Sequence, residues 1–173
     1  MQRFAGTSWL TAVAVLGTAL LAGAAQAAVY VVDRSHAQAN DANAGTEDQP
    51  WKTIQYAADT AQAGDTVCVV EGKYDERVKL KNSGAEGAPI IFQAMPLRRV
   101  DMQGFITGKA SFIRIQGFCI QAPGQTGIEV GGDNIEILDN YLHDLGVGIQ
   151  GHQLTTARPD KGPANIRIAY NEM

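Results

Sequence analysis

The residues best equipped for chemistry fall into two groups. His152, Arg158, Asp160 and Lys161 share one long polar loop, which puts a proton acceptor and anion-binding cations in a single segment. His152, Arg158 and Lys161 are the candidate catalytic residues. Gln150, Arg158 and Lys161 are the candidate substrate contacts. The competing reading is a surface insertion with ordinary charges. In the second group, Asp101, Glu129 and Gln150 alternate with apolar neighbours, so their side chains point away from an interior. If their strands stack as neighbouring rungs, ~4.8 Å apart, Asp101 and Glu129 repel unless something neutralises them. A cation bound by hard oxygen ligands would do so, which makes the pair a candidate Ca²⁺ site. Two hydrated carboxylates are the alternative. His143-Asp144 has the residue types of a general-base pair. Neighbours on a strand face opposite ways, however, so the two are not expected to act together. No nucleophile elbow, Cys-His pair, phosphate loop or zinc spacing is recognisable in the chain.

A repeat has to position these groups. Ile135, Ile137, Asn140 and Leu142 form one copy of an Ile-x-Ile-x-x-Asn-x-apolar phrase, and Ile166, Ile168, Asn171 and Met173 form another. An earlier copy, Ile113, Ile115, Phe118 and Ile120, has an aromatic at the Asn position. Units that cannot bury their own apolar face must stack into a solenoid. Alternation assigns Ile113, Ile115, Ile128, Val130, Ile135, Ile137, Ile149, Ile166 and Ile168 to its interior. The recurring Asn suits an inward hydrogen-bonded turn in left-handed geometry, with Asn140 and Asn171 stacked as a structural ladder. The phrase also approaches a leucine-rich repeat. Such a repeat returns through a helix, whereas here the return holds a further strand beginning Gly127-Ile128 or Gly148-Ile149. Arg114, Glu136 and Arg167 take equivalent outward positions and read as a solvated plus-minus-plus ladder.

Ahead of the coils, Thr53 can cap a helix carrying Ile54, Ala57, Ala58 and Ala61, with Gly64 at its C′ position. This helix is expected to cover the open end of the solenoid and shield its strand edges. Asp41-x-Asn43-x-Gly45 reads as an Asx turn rather than a calcium loop. Residues 1–27 have the pattern of a signal peptide: Arg3, an uncharged run from Leu10 to Leu21, and Ala25-Gln26-Ala27 before the cleavage point. Secretion or periplasmic export is therefore expected, with no membrane span after cleavage. Residues 28–173 amount to one domain, expected to be monomeric and to be the N-terminal part of a longer protein, because Met173 closes a motif in mid-coil. Without Arg3 the chain carries 13 basic residues (14 less one) against 18 acidic, a formal charge of −5. That balance argues against a nucleic-acid partner. It does not exclude an acidic glycan, since a local basic cleft can dominate at contact. Cys68 and Cys119 would enter an oxidising compartment. Both are read as outward on different coils, and whether they pair is left open.

Two stretches carry a resemblance. Gly45-Thr46, Pro50-Trp51-Lys52-Thr53-Ile54-Gln55, Ala57, Gly64-Asp65-Thr66-Val67, Val69, Gly72, Tyr74, Glu76 and Val78 resemble the N-terminal cap of secreted, pectate-lyase-like β-helix proteins. These include family-9 pectate lyases and chondroitinase-B-like enzymes. The coil pattern from Pro89 to Met173 resembles the body of the same superfamily. The resemblance implies an all-β fold, a right-handed parallel β-helix with an N-terminal capping α-helix, truncated at its C-terminal end. It further implies three sheets per coil. Residues 127–130 and 147–151 match the first, 135–138 and 166–169 the second, and 141–143 the third. The implied function is polysaccharide processing in a groove along the first sheet, by a lyase-type enzyme acting on acidic glycans. Uronate β-elimination needs the substrate carboxylate neutralised and a proton removed by a base, roles open to a cation and to the loop 152–165. A non-catalytic carbohydrate-binding or cell-surface adhesion module is the alternative.

Overall fold

The structure is a computed structural model and describes residues 27–151 and 163–173. Among the described residues ten strands pair in parallel throughout: β1 (Val29–Val32), β2 (Thr66–Lys79), β3 (Ile90–Ile106), β4 (Ile113–Gln116), β5 (Cys119–Gln121), β6 (Thr126–Val130), β7 (Ile135–Leu138), β8 (Tyr141–His143), β9 (Val147–Gly151) and β10 (Ile166–Ala169). They stack as three ladders. Ladder A runs β1, the start of β2, the start of β3, then β4, β7 and β10. Ladder B joins residues 72–74, residues 100–102, β5 and β8. Ladder C joins residues 77–79, residues 104–106, β6 and β9. The chain is thus a parallel β-helix, and C, A and B correspond to the expected first, second and third sheets. Strands β2 and β3 differ from expectation, since each is one continuous strand that bends through all three ladders.

The interior is filled by like-on-like rows. Ile90, Ile113 and Ile135 stack in ladder A, Met102, Ile120 and Leu142 in ladder B, and Val78, Phe105 and Ile128 in ladder C, all buried. Phe92, Phe105 and Phe118 run through the centre with ring centroids 5.8 and 5.1 Å apart. Gly104 makes close stacking of ladder C possible, because a Cβ there would lie 1.8 Å from the Gly127 carbonyl oxygen. On the outermost described rung, Ile149 and Ile166 are partly buried and Ile168 is exposed.

Asn140 is wholly buried at the A-to-B corner. Its Oδ1 accepts the Phe118 N–H at 2.9 Å and its Nδ2 donates to the Ile115 carbonyl at 3.1 Å. Asn171 repeats the second contact on Ile137 at 2.8 Å, and its Oδ1 accepts from both the backbone and the side chain of Asn140. The ladder forms as expected, but the left-handed residue is the one before each Asn, Asp139 (φ 57°) and Tyr170 (φ 59°). The amide is thereby freed to aim inward.

The short helix α1 (Ile54–Thr60) lies over β1 and β2, burying Ile54, Ala57 and Ala58. Thr53 caps it by accepting the Tyr56 N–H, and Glu76 accepts those of Ile54 and Gln55. Asp41 in turn accepts the N–H groups of Lys52 and Thr53 and the Thr53 hydroxyl, so its motif is a capping turn. Trp51 stacks on Tyr30 at 4.4 Å. Gly45 (φ 76°) leaves room for that indole, since a Cβ would sit 2.7 Å from Trp51 Cε2. Gly64 is not the C′ residue. The helix stops at Thr60 because Ala61 turns extended and Asp65 takes the Gln62 and Ala28 N–H groups, leaving Gly64 (φ 92°) to the following turn. Among the described residues no helix is long and apolar enough to cross a membrane.

Candidate functional site

The expected pairing of Asp101 with Glu129 does not form. Asp101 sits on ladder B between Lys73 and Cys119, whereas Glu129 sits on ladder C between Ile106 and Gln150. Both point outward, as alternation requires. What alternation cannot supply is which ladder a residue of the long strand β3 belongs to. Glu129 instead pairs with Arg77 at 2.6 Å, and Arg77 also donates to the Thr126 carbonyl. Asp101 and Glu129 thus lie on different ladders, and among the described residues no group of three or more His, Cys, Asp or Glu could hold a metal ion. Gln150 accepts from the Thr126 hydroxyl at 3.1 Å. His152, Arg158, Asp160 and Lys161 lie outside the described residues.

Ladder B gathers a different set. Its outward rows run Lys73, Asp101, Cys119, Tyr141 and, one residue pair over, Gln121 and His143. Cys119 Sγ lies 3.3 Å from His143 Nε2, and His143 Nδ1 lies 3.0 Å from Asp144 Oδ2. Gln121 Nε2 donates to the same carboxylate oxygen at 3.0 Å. Tyr141 stacks on the imidazole, 4.7 Å between centroids and 23° from parallel. The expectation that His143 and Asp144 face apart is corrected here. Asp144 has left the strand with φ 50°, and that left-handed turn folds its carboxylate back beside the ring. A carboxylate only accepts, so Nδ1 carries the neutral ring's proton and Nε2 is the basic nitrogen. Burial first, then the hydrogen bond and charge of Asp101, push the Cys119 thiol up to about 11. It therefore keeps its proton and lies as a neutral donor between Asp101 and His143.

Cations border this cluster. Arg98 (φ 63°) reaches across the A-to-B corner to Glu172 at 2.6 Å and to the carbonyls of Asp139 and Tyr170. Glu172 is itself the bridge partner of Tyr141. Arg98 also lines a cleft of about 610 Å³, open space included, with Lys73, Arg99 and Asp101. Lys73 and Arg99 make only loose, exposed contacts with Asp75 and Glu71, both at 3.5 Å. Exposed pairs of this kind exchange readily for a ligand anion.

Known proteins share this coil. The chain is similar to a rhamnogalacturonan lyase (TM-score 0.56, 21% identity, 70% of this chain and 37% of that one). It is similar to the pectate lyase Pel9A (TM-score 0.57, 17% identity, 68% and 34%) and to a GH136 lacto-N-biosidase from Eubacterium ramulus (TM-score 0.66, 17% identity, 83% and 34%). The fold is a parallel β-helix, similar to that of these structures. Residues 37–95, the cap and first coil of this β-helix, match a family described as "Protein of unknown function (DUF1565)". Over 127 residues the β-helix is 31% identical to "Uncharacterized protein YwoF" of Bacillus subtilis (strain 168), covering 61% of this chain and 27% of that protein. The chain thus spans about a quarter of that relative and about a third of each solved structure.

Two other groups on the β-helix were open questions. Cys68 and Cys119 are both free and lie on different ladders, opposite Gln93 and Asp101. Arg114, Glu136 and Arg167 do form the expected charge ladder in one register. Arg114 contacts Glu136 Oε2 at 2.6 Å and Arg167 contacts Oε1 at 3.2 Å. Burial works against the charged form of Glu136, but hydrogen bonds from Arg114 and Arg167 and their charges outweigh it and hold the carboxyl below its ordinary value. A depressed folded value means the stabilisation is complete above the unfolded carboxyl's value and fades as pH falls through the folded one. The stability gap between parent and Glu136→Gln should accordingly be widest at neutral pH and close in acid, measured by denaturant unfolding at several pH values. A gap independent of pH would refute the assignment.

Proposed function

We propose that the protein is carbohydrate-active, an exported lyase-type enzyme that cleaves acidic glycans by uronate β-elimination. The observation that carries this reading is His143, anchored at Nδ1 by Asp144 and stacked on Tyr141 on an outward, partly exposed ladder face. The three solved structures above bear the names of glycan-cleaving enzymes, which supports the substrate class. In the reaction His143 Nε2 takes the proton from the carbon next to the uronate carboxylate. The double bond forms as the bond to the leaving glycosidic oxygen breaks, and the Tyr141 phenol protonates that oxygen. Arg98, trading Glu172 for the substrate carboxylate, stabilises the charge that builds there. Cys119 has Asp101 as a second partner, so its thiol can release Nε2 when substrate arrives. Catalytic hydrogen bonds commonly tighten only in the complex.

Incubating the full-length protein with pectate, alginate and glycosaminoglycan polymers, with calcium and with chelator, should give an ultraviolet-absorbing unsaturated product from one of them. Because a guanidinium serves as the neutralising group, chelator should leave the rate unchanged. Abolition by chelator would assign that role to a bound cation such as Ca²⁺ instead of Arg98. Binding without any cleavage would favour the carbohydrate-binding or adhesion module.

A further inference from the structure

Away from ladder B, an open cleft of about 620 Å³, solvent-facing space included, borders the start of ladder A. Pro89, Phe112, Asn134, Glu136, Asn165 and Arg167 are among its lining residues. Three of them occupy one recurring corner. Phe112, Asn134 and Asn165 all have left-handed backbone (φ 56°, 57° and 56°), and each precedes an Ile of one ladder row, Ile113, Ile135 and Ile166. Asn tolerates that conformation, and here the two amides also form a ladder, Asn165 Nδ2 donating to Asn134 Oδ1 at 3.0 Å. A bulky aromatic adopts it only at a cost, so Phe112, like Tyr170 at the A-to-B corner, holds more backbone strain than Asn134 and Asn165 do. The Phe112 side chain is only partly buried and lines the cleft, so its ring is open to a ligand there.

The electrostatics add direction. Two guanidiniums face the single carboxylate of Glu136, leaving a local excess of one positive charge. Arg167 gives Glu136 only an Nη1 contact at 3.2 Å, and its side chain is 56% exposed. A guanidinium has five donors, so the rest of its fork remains for another anion. An aromatic, a pair of stacked amides and a half-used guanidinium, repeated at rung spacing, complement the C–H face, hydroxyls and carboxylates of a sugar chain.

The geometry points to this cleft as a second, non-catalytic site for a uronate-bearing pyranose chain. One ring rests on Phe112, hydroxyls bond Asn134 and Asn165, and a carboxylate takes Arg167. This inference rests on the acidic-glycan reading above but uses none of its ladder B residues. The test is calorimetric titration of full-length His143→Ala protein, which would not cleave its ligand, with oligogalacturonate. Two sites should be filled. Arg167→Ala should weaken one of them by ~10-fold or more and leave the other unchanged. Phe112→Asn should weaken the same site yet raise the unfolding temperature, because Asn relieves the left-handed strain. A single site indifferent to both substitutions would overturn the inference and leave the ladder B reading intact. Loss of thermal stability in Phe112→Asn with binding unchanged would overturn it too, by making Phe112 a packing residue. No binding of oligogalacturonate at either site would overturn the inference as stated and would exclude galacturonan as the ladder B substrate, leaving that reading to the other polymers.

Discussion

His143→Ala is expected to slow formation of unsaturated product by ~10²–10⁴-fold, the range for losing a positioned general base, with little change in unfolding temperature. The two halves of that expectation have separate sources. The imidazole contacts Cys119, Tyr141 and Asp144 on the outward face, so its removal should leave the stacked interior rows in place. Its role in the reaction, in contrast, is not taken over by the groups it touches, a thiol held at about 11, a phenol and the carboxylate that anchors its other nitrogen. Asp144→Asn offers a finer reading. It keeps the shape of the turn but removes the charged acceptor that anchors the ring at Nδ1, so the rate should fall, though by less than in His143→Ala. Cys119→Ala should have the smallest effect on rate, because the thiol covers Nε2 only at rest. If His143→Ala cleaves at the parent rate, ladder B is not the active face, and His152, Arg158 and Lys161, which lie outside the described residues, become the substitutions to test.

The coil architecture was legible because it depends on periodicity. The Ile-x-Ile-x-x-Asn phrase aligns Ile113, Ile135 and Ile166 in sequence, and the same residues share one row in space. The outward charge ladder followed from the same alignment. The Cys119–His143–Asp144 array was not legible, for two physical reasons. Alternation says whether a side chain points in or out, but pairing across rungs requires the register, and Cys119 meets His143 diagonally, one residue pair past its direct partner Tyr141. The contact of His143 with Asp144 depends on a left-handed turn at Asp144; an Asp there reads as a turn former, but not as one whose carboxylate folds back onto the ring. A usable signal did exist. Aligning the two phrases by their Asn and Phe118 positions sets Cys119 opposite Tyr141 and Gln121 opposite His143. Asp101 was misplaced for a related reason. Val100, Asp101 and Met102 read as a run separate from Ile90 to Phe92, but alternation there fixes only that Asp101 points outward, not which ladder carries it.

The largest effect on stability is expected at Asn140. Asn140→Ala would strand the buried Phe118 N–H and Ile115 carbonyl, two groups whose partners are side-chain atoms of Asn140, and would also remove a donor to Asn171 Oδ1. Each unsatisfied buried polar group costs ~1–3 kcal/mol, so the total is about 3–5 kcal/mol. For a domain of this size that is a fall of roughly 10 °C in unfolding temperature. Asn171→Ala should cost less, because Asn171 is partly exposed and water can reach its partners. Asn140→Asp separates the two halves of the amide. Its carboxylate still accepts from Phe118 but cannot donate to Ile115, and it meets Asn171 Oδ1 with a like partial charge, so it should fall between alanine and parent only at a pH low enough to protonate it. Thermal unfolding followed by circular dichroism across this series provides the check. An Asn140→Ala protein within about 1 kcal/mol of the parent would mean that the corner is held by apolar stacking alone, with Phe118 and Ile115 finding other partners.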